Sequence, residues 1–334
     1  MKVDTQLNAP IEEAGDRARL FEDLGLDGVF TFEGPDDPFL PLAVAAQETG
    51  LDVYPNVALA FPRSPLTHAY QAWHLQRLSR GGFMLGLGTQ VRANIEKRYG
   101  MPFSPPVERL REMVLAIKAI FRCWQDGERL DFVGEHYRHT LMQPTFNPGP
   151  NPYGPPPVLL GALGPRMTDM ATEVADGLLL HPFNTEPYIR EHAIPAIDRG
   201  LARAGRTRDD LSIICDVIVV AGRDEEELAA ADAGARMLLS FYGSTPAYRP
   251  PLDACGWGEV QPELNRMSKE GRWEEMAGLI TDEMLEALTV RGEPSAIAGL
   301  VGARFGDLAE RVGFYMPYRV EPEVVGEIVD GFRG

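Results

Sequence analysis

The sequence predicts a (β/α)8 barrel. Two observations carry this. Eight strand-like segments are each followed by a helix-like one, the alternation of a closed parallel barrel. The 334 residues also suit one barrel of ~250 residues with elaborated loops. With 44% hydrophobic residues, a large core can be buried. A doubly wound open sheet is the architectural alternative.

The elements follow in order. Residues 3–7 read as a short strand. Ile11, Ala14, Ala18, Phe21 and Leu24 recur at helical spacing until Gly25 stops the helix. Residues 29–32 form a buried strand, 40–49 a helix ending at Gly50, 53–61 a third strand and 66–78 a helix. Residues 83–87 form the fourth strand. The next helix has Ser104 as its expected cap and Pro105 in its first turn. Its apolar stripe is Leu110, Met113, Val114, Ile117, Ile120, Phe121 and Trp124, with Cys123 packed near its end.

Residues 130–139 resemble a hairpin, and a proline-crowded loop follows it. Strand five spans 158–160, and a helix starts near Pro165. Strand six spans 178–180, with a helix over 186–204. Strand seven covers 211–220, with a helix over 225–239. An aromatic, proline-containing segment over 241–257 and more helix then exceed what one repeat needs. Residues 312–315 form the eighth strand and 323–332 the last helix. One domain over 1–334 is expected. Its insertions follow the strand-four helix and strand seven, the latter over about 240–290.

The net charge of −17 repels nucleic acid and anionic membranes, so neither is an expected partner. A small-molecule substrate is expected, and an anionic ligand would need a local basic patch. Cys123, Cys215 and Cys255 form neither a disulfide framework nor a zinc pattern. The six histidines show no metal-ligand spacing. Without an apolar leader at residues 1–5, or a run of the ~20 apolar residues a membrane span needs, a cytoplasmic protein is expected.

Barrel active sites lie beyond the C-terminal ends of the strands. After strand two come Glu33, Asp36 and Asp37. Glu33 is a candidate general acid or base, whereas Asp36 and Asp37 also read as helix caps. After strand four, Gly86-Leu87-Gly88-Thr89-Gln90-Val91 lets backbone approach a ligand. It is not a dinucleotide fingerprint, since Val91 stands where the third glycine belongs. Arg92, Lys97 and Arg98 follow, either as counter-charge for a ligand or as a solvated loop paired with Glu96. After strand five, Gly161-Ala162-Leu163-Gly164-Pro165 precedes a helix whose first amides suit a phosphate. After strand six, His181 could touch a ligand or cap the barrel rim, with Asn184 close by.

Several of these segments together resemble the luciferase-like monooxygenase superfamily, and most closely its coenzyme F420-dependent oxidoreductase branch. They are Leu-Gln-Arg-Leu-Ser-Arg-Gly-Gly-Phe-Met-Leu-Gly-Leu-Gly-Thr at 75–89 and Val-Ala-Asp-Gly at 174–177. Ile-Glu-Lys-Arg at 95–98 and Phe-Tyr-Gly-Ser-Thr at 241–245 resemble one mostly actinobacterial F420-linked subfamily. The resemblance implies a barrel with a deazaflavin, or alternatively FMN, across the strand ends, in a homodimer. It implies a non-proline cis peptide at Asn56-Val57 behind the ring. Ring and ribityl contacts would come from Gly88, Thr89 and Gln90, and the phosphate would lie near Gly161, Ala162, Leu163, Gly164 and Pro165. His181 and Asn184 would line the same cleft.

Two departures limit the inference. Glu33-Gly34 stands where sugar-phosphate dehydrogenases of the family have Asp-His, and Gln90-Val91 where they have a carboxylate. Their acid/base machinery therefore does not carry over. Because F420 is strongly anionic, Arg92, Lys97 and Arg98 favour it over FMN. The expected reaction is hydride transfer between F420 and an organic substrate, with Glu33 and then His181 as candidate proton carriers. Phe241, Tyr242, Tyr248 and Trp257 are expected either to lid the substrate pocket or to pack within the insertion or a dimer interface. The alternatives are a reduced-FMN monooxygenase, a barrel hydrolase using Glu33 and Asp37, and a barrel that only binds a cofactor. Two carboxylates on one loop match a hydrolytic pair poorly.

Overall fold

Parallel strands make up the whole barrel wall in the computed structural model, which describes residues 1–334. Its strands are β1 (Lys2–Gln6), β2 (Gly28–Thr31), β3 (Asp52–Pro55), β4 (Ala58–Leu59) and β5 (Leu85–Gly88). A small antiparallel hairpin, β6 (Phe132–Val133) with β7 (Arg138–His139), stands apart from the wall. The wall continues with β8 (Val158–Ala162), β9 (Gly177–Leu180), β10 (Ser212–Ala221) and β12 (Arg311–Tyr315), while β11 (Val290–Gly292) pairs with β10 alone. The order is β3-β2-β1-β12-β10-β9-β8-β5-β4. β3 and β4 are two halves of one stave, and a bridge from Val53 to Phe83 joins the two ends of this series.

The third strand is therefore not the continuous segment expected over 53–61. It breaks at the Asn56–Val57 peptide, which is cis, as the resemblance implied. Ser104 is a second correction. The helix Pro106–Asp126 starts one turn-residue later than expected, with Pro105 at its cap and no side-chain capping bond. Its apolar stripe is buried as expected, Cys123 included, and Gly127 ends it at φ 72°. The helix after strand seven runs Glu225–Gly243, past the expected residue 239, so Phe241 and Tyr242 are helical. β11 was not foreseen; three apolar-to-glycine residues give too short a run to detect.

Side chains alternate in and out along each strand. The outward set packs on the helices in one large core. Phe30, Tyr54, Leu159, Leu179 and Ile214 fill the barrel interior, with Val57, Met84 and Tyr315 against them. The inserted helices share a separate core that includes Phe183, Ile218, Val220, Leu239, Leu252 and Leu264. No helix is long and apolar enough to cross a membrane.

Candidate active site at the C-terminal mouth

Glycines shape one side of the mouth. Val57 sits where side chains on β5 and β8 would otherwise be. A Cβ on Gly88 would lie 2.4 Å from its Cγ2, and one on Gly161 would lie 3.0 Å from its Cγ1. Ala60 donates to the Gly88 carbonyl at 2.9 Å. Beyond Gly88 and Thr89, Gln90 has φ 58°, a conformation non-glycine residues seldom adopt. Its side-chain oxygen accepts from the Val91 N–H at 2.9 Å. This turn aims the chain into the short helix Arg92–Lys97.

The next wall segment ends in Gly161-Ala162-Leu163-Gly164. Gly164 caps the helix Pro165–Val174 without a side chain, and a Cβ placed there would meet nothing within 4 Å. The first-turn amides are therefore not covered by a capping group, and the helix dipole adds positive potential there.

Glu33 is buried and fully engaged. Its carboxylate accepts from the Leu59 N–H at 2.7 Å, the Arg63 guanidinium at 2.7 Å and the Tyr99 hydroxyl at 3.0 Å. Its own N–H donates to the Val57 carbonyl at 3.2 Å. Asp37 takes the capping role, accepting from Phe39 and Leu40 N–H groups at 2.8 and 3.1 Å. Glu33 and Asp37 share Arg63 and do not face each other across open space.

The basic trio is dispersed. Arg92 pairs with Glu96 at 3.2 Å and stacks on Phe103. Arg98 donates to the Gly34 carbonyl and lies over Tyr99. Lys97 is exposed and forms no ion pair within the chain.

The opposite wall is aromatic. Leu179 faces the interior, so His181 two residues on does too. Its Nδ1 accepts from the Phe183 N–H at 3.1 Å, which leaves the proton on Nε2. Burial pushes its pKa down to about 3, so the ring is neutral at physiological pH. Tyr242 and Tyr248 pack on it with centroids at 4.9 and 4.5 Å. Of the four aromatics expected either to lid the pocket or to pack within the insertion, these two reach the mouth. Trp257 packs into the insertion core, and Phe241 lies exposed beside Trp273. Asn184 is buried. Its amide donates to the His181 carbonyl at 2.5 Å, while its side-chain oxygen has no partner.

Two residues that sequence reasoning missed complete this wall. Asp216 lies two residues after the inward Ile214 in the apolar run of β10, and it is buried. Its Oδ1 accepts from Asn56 Nδ2 at 2.7 Å. Burial pushes its carboxyl far above the usual range and nearby Asp4 adds to this, against the Asn56 hydrogen bond. The signal was legible: a lone carboxylate in a strand at the inward phase. Tyr315 donates to the Asn56 carbonyl at 3.3 Å and packs on Phe30. No cluster of three or more His, Cys, Asp or Glu side chains could hold a metal.

Comparison with known proteins fits this geometry. The luciferase-like monooxygenase family profile matches residues 2–310. The uncharacterized protein Rv1360 of Mycobacterium tuberculosis is 47% identical over 93% of this chain and 92% of its own. The same organism's putative coenzyme F420-dependent oxidoreductase Rv3520c is 30% identical, over 88% of each chain. Among solved structures, the coenzyme F420-dependent tetrahydromethanopterin reductase of Methanopyrus kandleri superposes with a TM-score of 0.80 at 19% identity. It covers 99% of this chain and 96% of that one.

Proposed function

The chain belongs to the luciferase-like monooxygenase family, and from that premise we propose that it transfers a hydride between coenzyme F420 and a small organic substrate. The observation that carries the reading is the side-chain-poor wall where Val57 packs directly onto Gly88 and Gly161, next to the uncovered helix start at Gly164. A flat ring fits against such a wall, and a phosphate fits such a helix start. When bound, F420 supplies the two-electron hydride chemistry.

The protein's own residues supply the rest. Gly88, Thr89 and Gln90 border the ring, with Asn56 and Val57 behind it. Gly161 to Pro165 receives the phosphate. Lys97, exposed and without an ion pair, draws the anionic tail. Glu33, with three donors on its carboxylate, positions the Val57–Leu59 backbone and Tyr99. The groups placed to donate toward a substrate are His181 Nε2–H and the carboxyl of Asp216, which burial holds far above its usual range.

A titration with F420, reduced F420 and FMN, followed by fluorescence quenching, tests this reading. Micromolar binding of F420 is expected. Binding of FMN with none of F420 would replace the reading by a reduced-FMN monooxygenase. Binding of neither would return the hydrolase to consideration.

A further inference from the structure

The mouth divides into two arcs of different chemistry. The cations lie on the β5 and β8 side: Arg92, Lys97 and Arg98 after β5, and Arg166 at the start of the helix after β8. On the arc from β9 through β10 to β12 the cations are paired: Arg223 after β10 with Glu227 and Arg319 after β12 with Glu321, and none lies among the rings that form its surface. That surface consists of His181, Tyr242, Tyr248 and Tyr315, each partly accessible.

Cations close to this arc are already used elsewhere. Arg304 donates to the carbonyls of Thr289, Asn184 and Ala287 at 3.1, 2.9 and 2.7 Å. Arg249 pairs with Asp253 and Glu259. The one carboxyl on the arc, Asp216, has an amide partner and no cation. An ionic ligand group placed here would lose its hydration with nothing to compensate it.

What the arc offers instead is ring faces and neutral donors. Tyr242 and Tyr248, with centroids 6.1 Å apart, make no hydrogen bond through their hydroxyls within the chain. They are not sealed from solvent either. The His181 Nε2–H is likewise unspent, because Phe183 occupies Nδ1. Three neutral hydrogen-bonding groups thus converge on one aromatic surface.

We propose that the substrate is an uncharged, ring-bearing compound with a hydrogen-bond-accepting oxygen, stacked on Tyr242 and Tyr248 and oriented by their hydroxyls and His181. This rests on the oxidoreductase reading and narrows it. Rings favour such a surface through offset stacking, and a site built to hydrogen-bond an oxygen rejects compounds that lack one.

The test uses two probes of closely matched shape that differ in charge, 6-formyl-2-naphthamide and 6-formyl-2-naphthoate. F420 binding is measured first, and probe affinity is then determined on the F420-loaded protein by calorimetry. The neutral probe is expected to bind about tenfold or more tightly, because the carboxylate loses its hydration. Tyr242→Phe and Tyr248→Phe should each weaken it roughly threefold to tenfold, the loss of one hydrogen bond, with F420 affinity unchanged. Tyr248→Arg should reverse the preference between the probes. Thermal melts confirm that each variant is folded. Equal or tighter binding of the anionic probe, or unchanged affinity in all three variants, overturns the proposal. If F420 itself does not bind, the functional reading fails separately. The probe pair measured on the cofactor-free protein then decides the chemistry of the arc on its own.

Discussion

One hydrogen-bonded row of the barrel joins two regions that treat buried acid in opposite ways. In register, Asp52 pairs with Gly28, Gly28 with Asp4, Asp4 with Gly313 and Gly313 with Asp216. Acids alternate with glycines, and the glycines make room: a Cβ on Gly28 would lie 2.7 Å from Asp4 Oδ1, and one on Gly313 2.7 Å from Asp216 Oδ1. In the lower half, cations meet the acids. Lys2 lies 2.9 Å from Asp52, and Arg311 bridges Asp52 and Asp4. Tyr54 donates to Asp4 at 2.8 Å. In the upper half, Asp216 has only Asn56. The lower acids share cations, as befits the face of a barrel that carries stability, although Asp4 Oδ1 and Arg311 Nη1 have no hydrogen-bond partner. The upper half has no cation: burial raises the Asp216 carboxyl, and the polar groups there are left free for a ligand.

The strongest way to break this comparison is to remove the cation that completes the lower half. Arg311→Leu leaves the buried Asp4 and the half-buried Asp52 beside each other without their shared partner. A loss of about 3–5 kcal/mol in unfolding free energy is expected, read from the urea midpoint at unchanged slope. F420 affinity of the folded protein should stay the same. A loss below about 1 kcal/mol would show that the lower network is not the stabilising end.

Asp216→Asn sharpens the upper half. Its folded pKa is raised, so its contribution to stability is complete below the ordinary carboxylate range near 4. It is lost as pH rises toward the folded value. The amide removes this dependence while keeping an acceptor for Asn56. The variant should match the wild type at pH 4 and exceed it by on the order of 2 kcal/mol at pH 7, with Asn56 offsetting part of the full linkage. Asp4, raised by burial to about 7, acts in the same direction and leaves a residual slope in the variant that ends near pH 7. A variant less stable than the wild type at pH 7 would mean that Asp216 is ionised in the fold.

These two acids also show what could be read before the structure. The wall was legible because apolar strands and amphipathic helices are local patterns, and the strand-end glycines because strand ends follow from the strands. Asp216 was readable by phase but was passed over inside a hydrophobic run. The role of Glu33 was not readable, because it depends on Arg63 and Tyr99, which meet it from 30 and 66 residues away. Ser104 failed for a smaller reason: two prolines follow it, and the helix begins at the second.

The smallest effects concern the basic residues after β5, where counting charges in the sequence overstates the field. Arg92 is already compensated by Glu96 and held on Phe103, so Arg92→Ala removes a pair and changes the local charge little. Lys97 has no such partner, so Lys97→Ala removes a net charge. At low salt it should weaken F420 binding about threefold to fivefold, the size of one exposed charge interaction. The effect should vanish as the Debye length shrinks toward ~3 Å near 1 M salt. Stability should move by less than about 0.5 kcal/mol in either variant. The order of the two losses in a salt-dependent titration is the decisive result. If Arg92→Ala costs more affinity than Lys97→Ala, the Glu96 pair opens on binding, and the cationic arc extends one turn closer to the strand end than its resting ion pairs indicate.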